Sequence, residues 1–104
     1  MTMSRATTER KLFDVAQRVK RAREELAVID EQLRALSDSA DEARIRSLVS
    51  ETPLANREYA DAQRHAEAMD RTRRTLAADL AELEAAQETL LDRLIGSEIP
   101  DFPT

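Results

Sequence analysis

No proline or glycine interrupts the stretch from Arg5 to Ser37. Within it Leu12, Val15, Val19, Ala22, Leu26, Ile29, Leu33 and Leu36 recur at intervals of three and four residues. An α-helix turns once every ~3.6 residues, so this spacing draws one apolar stripe down one side of a helix. Sustained over about four heptads, it is the pattern of a coiled coil. Such a helix does not stay folded in water with its stripe exposed, so the stripe demands a partner.

The same chain supplies one. Thr52 is a good N-cap, and Pro53 suits the first helical position, where its missing N–H is not needed. From there Tyr59, Ala62, Ala66, Met69, Arg73, Leu76, Leu80, Leu83, Gln87, Leu90 and Leu94 again run three-four. Gly96 is read as the C′ residue that ends this helix by taking positive φ. Between the helices, Ser37-Asp38-Ser39 disfavours helix interior, and Ser39 with Glu42 forms a capping box. The expected fold is therefore all-α: a long antiparallel coiled-coil helical hairpin with a short third helix at the tip. Its expected elements are a helix over 5–37, a tip helix over 40–50 that presents Ile45, Leu48 and Val49, a helix over 53–95, and an extended tail over 96–104. The rival for the tip is one continuous kinked helix that turns only at Ser50–Pro53.

Charge sets the orientation. Residues 5–23 carry seven basic and two acidic side chains, a net +5, whereas residues 75–104 carry one basic and seven acidic, a net −6. Antiparallel pairing lays these blocks side by side. Exposed ion pairs contribute only about 0.2–1 kcal/mol each, so they select orientation more than they stabilise. The expected register matches Leu36 with Ala62 and Val15 with Leu83. It puts Arg73 opposite Glu24, Glu25 and Leu26, reaching to one of the two acids, with Gln87 as a second polar layer.

Composition excludes several function classes. Only Phe13, Tyr59 and Phe102 are aromatic, 36% of residues are charged, and there is no cysteine. Disulfides, thiolate chemistry and cysteine-based zinc sites are thereby absent from the sequence. A lone His65 makes no histidine metal motif, so no cofactor is expected. A single glycine leaves no phosphate-binding loop. No enzyme is expected, because a two-helix hairpin offers no pocket to perturb a catalytic pKa. Arg10, Lys11, Arg18, Lys20, Arg21 and Arg23 form a basic patch, but a net charge of −5 and the adjoining acidic strip argue against nucleic acid as partner. No apolar run suits a membrane span or a signal peptide, so a cytoplasmic protein is expected.

Function is expected at the two ends. The tip carries Asp38, Asp41, Glu42 and Glu51 beside Arg44 and Arg46. These acids are either a solvated helix end or a probe offered to a basic or metal-containing cavity. At the open end Phe13, Leu91 and Ile95 lie off the seam, with Ile99 and Phe102 in the Pro-flanked tail. The tail either folds back over them or joins them as a docking site. A third option is self-association, two hairpins forming a homodimeric four-helix bundle.

Leu54 to Ala62, through Asn56, Glu58, Tyr59 and Ala62, resembles the start of the second helix in Gre-type transcription factors. The resemblance implies a coiled-coil hairpin whose tip enters the secondary channel of RNA polymerase. Thr52 and Ala55 stand where that family carries its metal-binding tip acids, and its second, C-terminal domain has no counterpart in the 104 residues. What the resemblance implies is thus docking without RNA cleavage. The first expectation is a non-enzymatic interaction or adaptor module that docks on a partner protein or on itself. The alternative is a bacterial transcription regulator that binds RNA polymerase through an acidic tip.

Overall fold

The computed structural model describes residues 4–98, and the side chains of residues 4–96. Among these, two α-helices and no strand are found: α1, Arg5–Ser50, and α2, Pro53–Glu98, each of 46 residues. The two pack together as an all-α helical hairpin.

Each helix begins with a side-chain cap. Ser4 Oγ accepts a hydrogen bond from the Thr7 N–H at 3.2 Å, and Thr52 Oγ1 accepts one from the Ala55 N–H at 3.1 Å. Both satisfy amide donors that have no carbonyl partner within the first helical turn. Pro53 is the first residue of α2, as its fixed φ and absent donor favour.

The tip departs from expectation. α1 runs through Ser37, Asp38 and Ser39 without a break and ends only at Ser50, so no separate helix forms over 40–50. The reason lies in residues that an apolar count overlooks. Ala40, Ala43 and Ser47 continue the three-four spacing from Leu36, and Ala40 and Ala43 are 6% and 2% exposed. Serine and aspartate inside a helix cost a few tenths of a kcal/mol each relative to good formers. Keeping the seam in phase for three more positions outweighs that. The capping box of Ser39 and Glu42 is not used.

Only Glu51 and Thr52 separate the helices. Glu51 takes φ 51°, and its N–H donates to Ser47 O at 3.0 Å, which closes α1 with a left-handed residue. Glycine usually fills that role because it has no Cβ to clash. The chain's one glycine does not fill it anywhere: Gly96 lies within α2, which continues to Glu98, and has no positive φ. The expected helix end at 95 and extended residues 96–98 are therefore corrected. The remainder of the expected tail, with Ile99 and Phe102, lies outside the described residues.

The described residues fall into two units, one comprising 4–23 with 78–98 and the other 24–77. In the first, Thr8, Leu12, Val15, Val19 and Ala22 of α1 and Leu80, Leu83, Gln87, Leu90 and Leu94 of α2 are buried or half-buried. Thr8, 4% exposed, donates its hydroxyl to Ser4 O at 3.1 Å, so its burial leaves no orphaned polar atom. In the second, the seam runs from Leu26 to Ser47 on α1 and from Ala55 to Leu76 on α2.

Two cross-helix pairs set the register of the second unit. The Ser47 hydroxyl donates to Asn56 Oδ1, and the Arg73 guanidinium pairs with Asp30. Seventeen residues separate Ser47 from Asp30, and seventeen separate Asn56 from Arg73, so both pairs obey one antiparallel register. Arg73 thus meets Asp30, not Glu24 or Glu25. The expected register, Leu36 with Ala62, was displaced because it aligned the two series of layers from Leu36, where the α1 seam was read as ending. On the observed register Ala43 is level with Tyr59 and Ala60, giving the half-buried tyrosine a small neighbour, as close packing of facing positions requires.

Candidate interaction surfaces

A complete seam makes the apolar residues left outside it conspicuous. Eight large hydrophobic side chains among the described residues are exposed, and seven of them fall into two groups.

The first group is at the apex of the hairpin, in the second unit. Ile45, Leu48 and Val49 lie at spacings of three and four on the last turns of α1, on the side away from the seam residues Ala43 and Ser47. They are 61%, 66% and 79% exposed, and Leu54 in the first turn of α2 is 65% exposed. The expectation that Ile45, Leu48 and Val49 would be presented by a separate tip helix fails with that helix: they point to water. Exposed Arg44, Arg46, Glu51 and Arg57 surround them in sequence. The expected acidic residues are dispersed instead. Glu51 is at the apex, whereas Asp38, Asp41 and Glu42 are exposed on α1 nine to thirteen residues earlier. At ~1.5 Å per residue that is about 14–20 Å back from the turn. Only one of the four tip acids therefore stands at the tip.

The second group belongs to the first unit. Phe13 is 69% exposed on α1, and Leu91 and Ile95 are 40% and 50% exposed on α2. Their placement follows from one ion pair. Arg23 follows the seam residue Ala22, Glu84 follows Leu83, and the two approach to 3.5 Å. The flanks immediately after these seam positions therefore adjoin. Heptad steps from Arg23 and Glu84 bring Ala16 and Leu91 onto the same flank. The next positions outward are Ala6, Phe13 and Lys20 on α1, with Ala81, Glu88 and Ile95 on α2. All three exposed apolar residues of this unit thus share one lateral face. An open hollow of about 500 Å³, lined by Ala6, Glu9, Arg10 and Phe13, lies at its α1 side.

The basic patch of α1 is less neutralised than its sequence context implies. Within the first unit Arg18 pairs with Asp14 at 3.3 Å on its own helix, and Arg23–Glu84 is the cross-helix ion pair shown. Lys11, Lys20 and Arg21 make none among the described residues.

The residues shared with Gre-type factors have local duties. Tyr59 and Ala62 are half-buried seam residues, Asn56 accepts the Ser47 hydroxyl across the turn, and Glu58 is exposed. Two of the four are what any hairpin seam at this point would carry. His65 is exposed. Among the described residues no group of three or more His, Asp or Glu is arranged to hold a metal ion, and no helix is long and apolar enough to cross a membrane. Comparison with protein-family models, curated proteins and solved structures returns no match for this chain.

Proposed function

We propose that this protein is a non-enzymatic coiled-coil interaction module that docks on protein through surfaces beside its seam. One observation carries the reading. The seam is filled from Thr8 to Ser47 and from Ala55 to Leu94, yet large apolar side chains remain in water in two clusters, at the apex and on the lateral face of the first unit. Apolar area of that kind marks sites of association when it gathers into patches.

The second reading is docking of the apex on RNA polymerase. Glu51, held at the turn by its left-handed backbone, is the feature that favours it. Purified polymerase and the full chain separate the two. On this second reading the chain binds polymerase, and reversing Glu51 to lysine weakens that binding more than reversing Asp38, Asp41 and Glu42 does. Absence of binding removes it. The interaction-module reading itself falls if the chain is monomeric in solution and neither the apex variant Leu48→Asp/Val49→Asp nor the lateral variant Phe13→Glu alters retention of any protein from its host.

A further inference from the structure

The lateral face of the first unit has a centre of apolar and small residues, Phe13, Ala16, Leu91 and Ile95, and a charge on each helix. Next to the seam on this face Arg23 and Glu84 pair with each other, and Glu9 pairs with Arg5. On this face Lys20 of α1 and Glu88 of α2 stand at the outer positions, and neither has an ion-pair partner among the described residues. We infer that the occupant of this face is a second copy of the same chain, related by a two-fold axis parallel to the helices. The inference rests on the interaction-module reading and names its partner.

Symmetry carries the argument. A foreign protein would need an acid placed over Lys20 and a base placed over Glu88, side by side beside an apolar centre. Nucleic acid would meet repulsion from the α2 half. A second copy rotated about an axis along the helices supplies the required surface automatically: α1 of each copy lies over α2 of the other. Phe13 then meets Leu91 and Ile95 of the other copy, and Lys20 meets the other copy's Glu88, twice by symmetry. Every neighbouring helix pair in the resulting four-helix bundle is antiparallel, and the small side chain of Ala16 permits close approach. The other two-fold axis that can lie in the interface runs perpendicular to the helices; it sets each helix over its own copy, so like charges face one another, and it reverses the levels, removing Phe13 from Leu91 and Ile95.

Sedimentation of the full chain tests this. The wild type is expected at twice the 11.8 kDa of one chain. Phe13→Glu with Ile95→Glu is expected to give a helical monomer, since both side chains are already in water in the isolated hairpin. Lys20→Glu and Glu88→Lys should each weaken the homodimer by about threefold to tenfold, because each change is made twice per dimer. Mixing these two variants should restore association as a heterodimer. In it the carboxylate introduced at position 20 faces the amine introduced at position 88, and the native Lys20–Glu88 contact persists on the other side of the axis. A monomeric wild type, a dimer indifferent to Phe13→Glu with Ile95→Glu, or a mixture without preferred heterodimer overturns the inference. If the wild type is monomeric but Phe13→Glu or the apex variant Leu48→Asp/Val49→Asp releases a bound host protein, the second copy is wrong and the interaction module stands; if neither variant releases anything, both fall.

Discussion

The two units are cut from the same pair of helices and share one three-four spacing, yet they use it differently. In the first, the seam is built from larger aliphatics, with Val19, Leu80 and Leu90 at 2%, 8% and 7% exposure. In the second, toward the turn, burial falls on Ala40, Ala43 and Ala55. Large side chains hold helices together by the apolar area they remove from water. Small ones contribute little area but let backbones approach, which suits a connection of only Glu51 and Thr52. The large residues near the turn, Ile45, Leu48, Val49 and Leu54, are correspondingly outside the seam. The lesson is that one periodicity can specify a core in one place and a close approach in another.

Substitutions at the seam probe this contrast most strongly. Leu80→Ala should lower stability by about 2–4 kcal/mol, read from the urea midpoint, because it removes buried volume that a two-helix seam cannot replace. Ala43→Leu should cost about 1–3 kcal/mol by the opposite mechanism, overpacking. If Ala43→Leu instead stabilises the hairpin, the second unit is loosely packed, and the distinction between the units dissolves.

The backbone gives a finer test, because each unit holds one residue whose type and conformation disagree. Glu51 occupies a left-handed conformation that favours glycine, whereas Gly96 is helical. Glu51→Gly should raise the midpoint of thermal unfolding, by the equivalent of roughly 0.5–1 kcal/mol, as Cβ strain is relieved against some added freedom in the unfolded chain. Gly96→Ala should stabilise by at most about 0.5–1 kcal/mol, since a Cβ there meets nothing within 4 Å and alanine is the better helix former. A loss of stability in the second variant would place Gly96 outside an ordinary helical role.

Much of the fold was legible in the sequence. Each α1 residue from Leu12 to Leu36 named by spacing, and each α2 residue from Tyr59 to Leu94, is buried or half-buried. Thr52 caps α2 and Pro53 begins it. The failures share a cause. Reading Ser37-Asp38-Ser39 as a break with a new cap stopped the seam at Leu36, although Ala40, Ala43 and Ser47 keep the interval. From that stop followed a tip helix, a displaced register, the wrong acid for Arg73, and a cluster of acids at the apex where mainly apolar side chains stand. Following the interval through those three polar residues would have recovered the continuous helix. Phe13, Leu91 and Ile95 were recognised as lying off the seam, but their meeting on one lateral face awaited the Arg23–Glu84 contact.

By itself, then, the sequence determined that this chain forms helices, how many faces they bury and where the second one starts, because periodicity and caps act within a few residues. Only the tertiary structure decided where the first helix ends, which residues stand level across the hairpin and which apolar side chains remain in water. Those outcomes depend on competition. A few tenths of a kcal/mol of local preference at Ser37, Asp38 and Ser39 stood against the burial available to a helix that stays in phase with its neighbour.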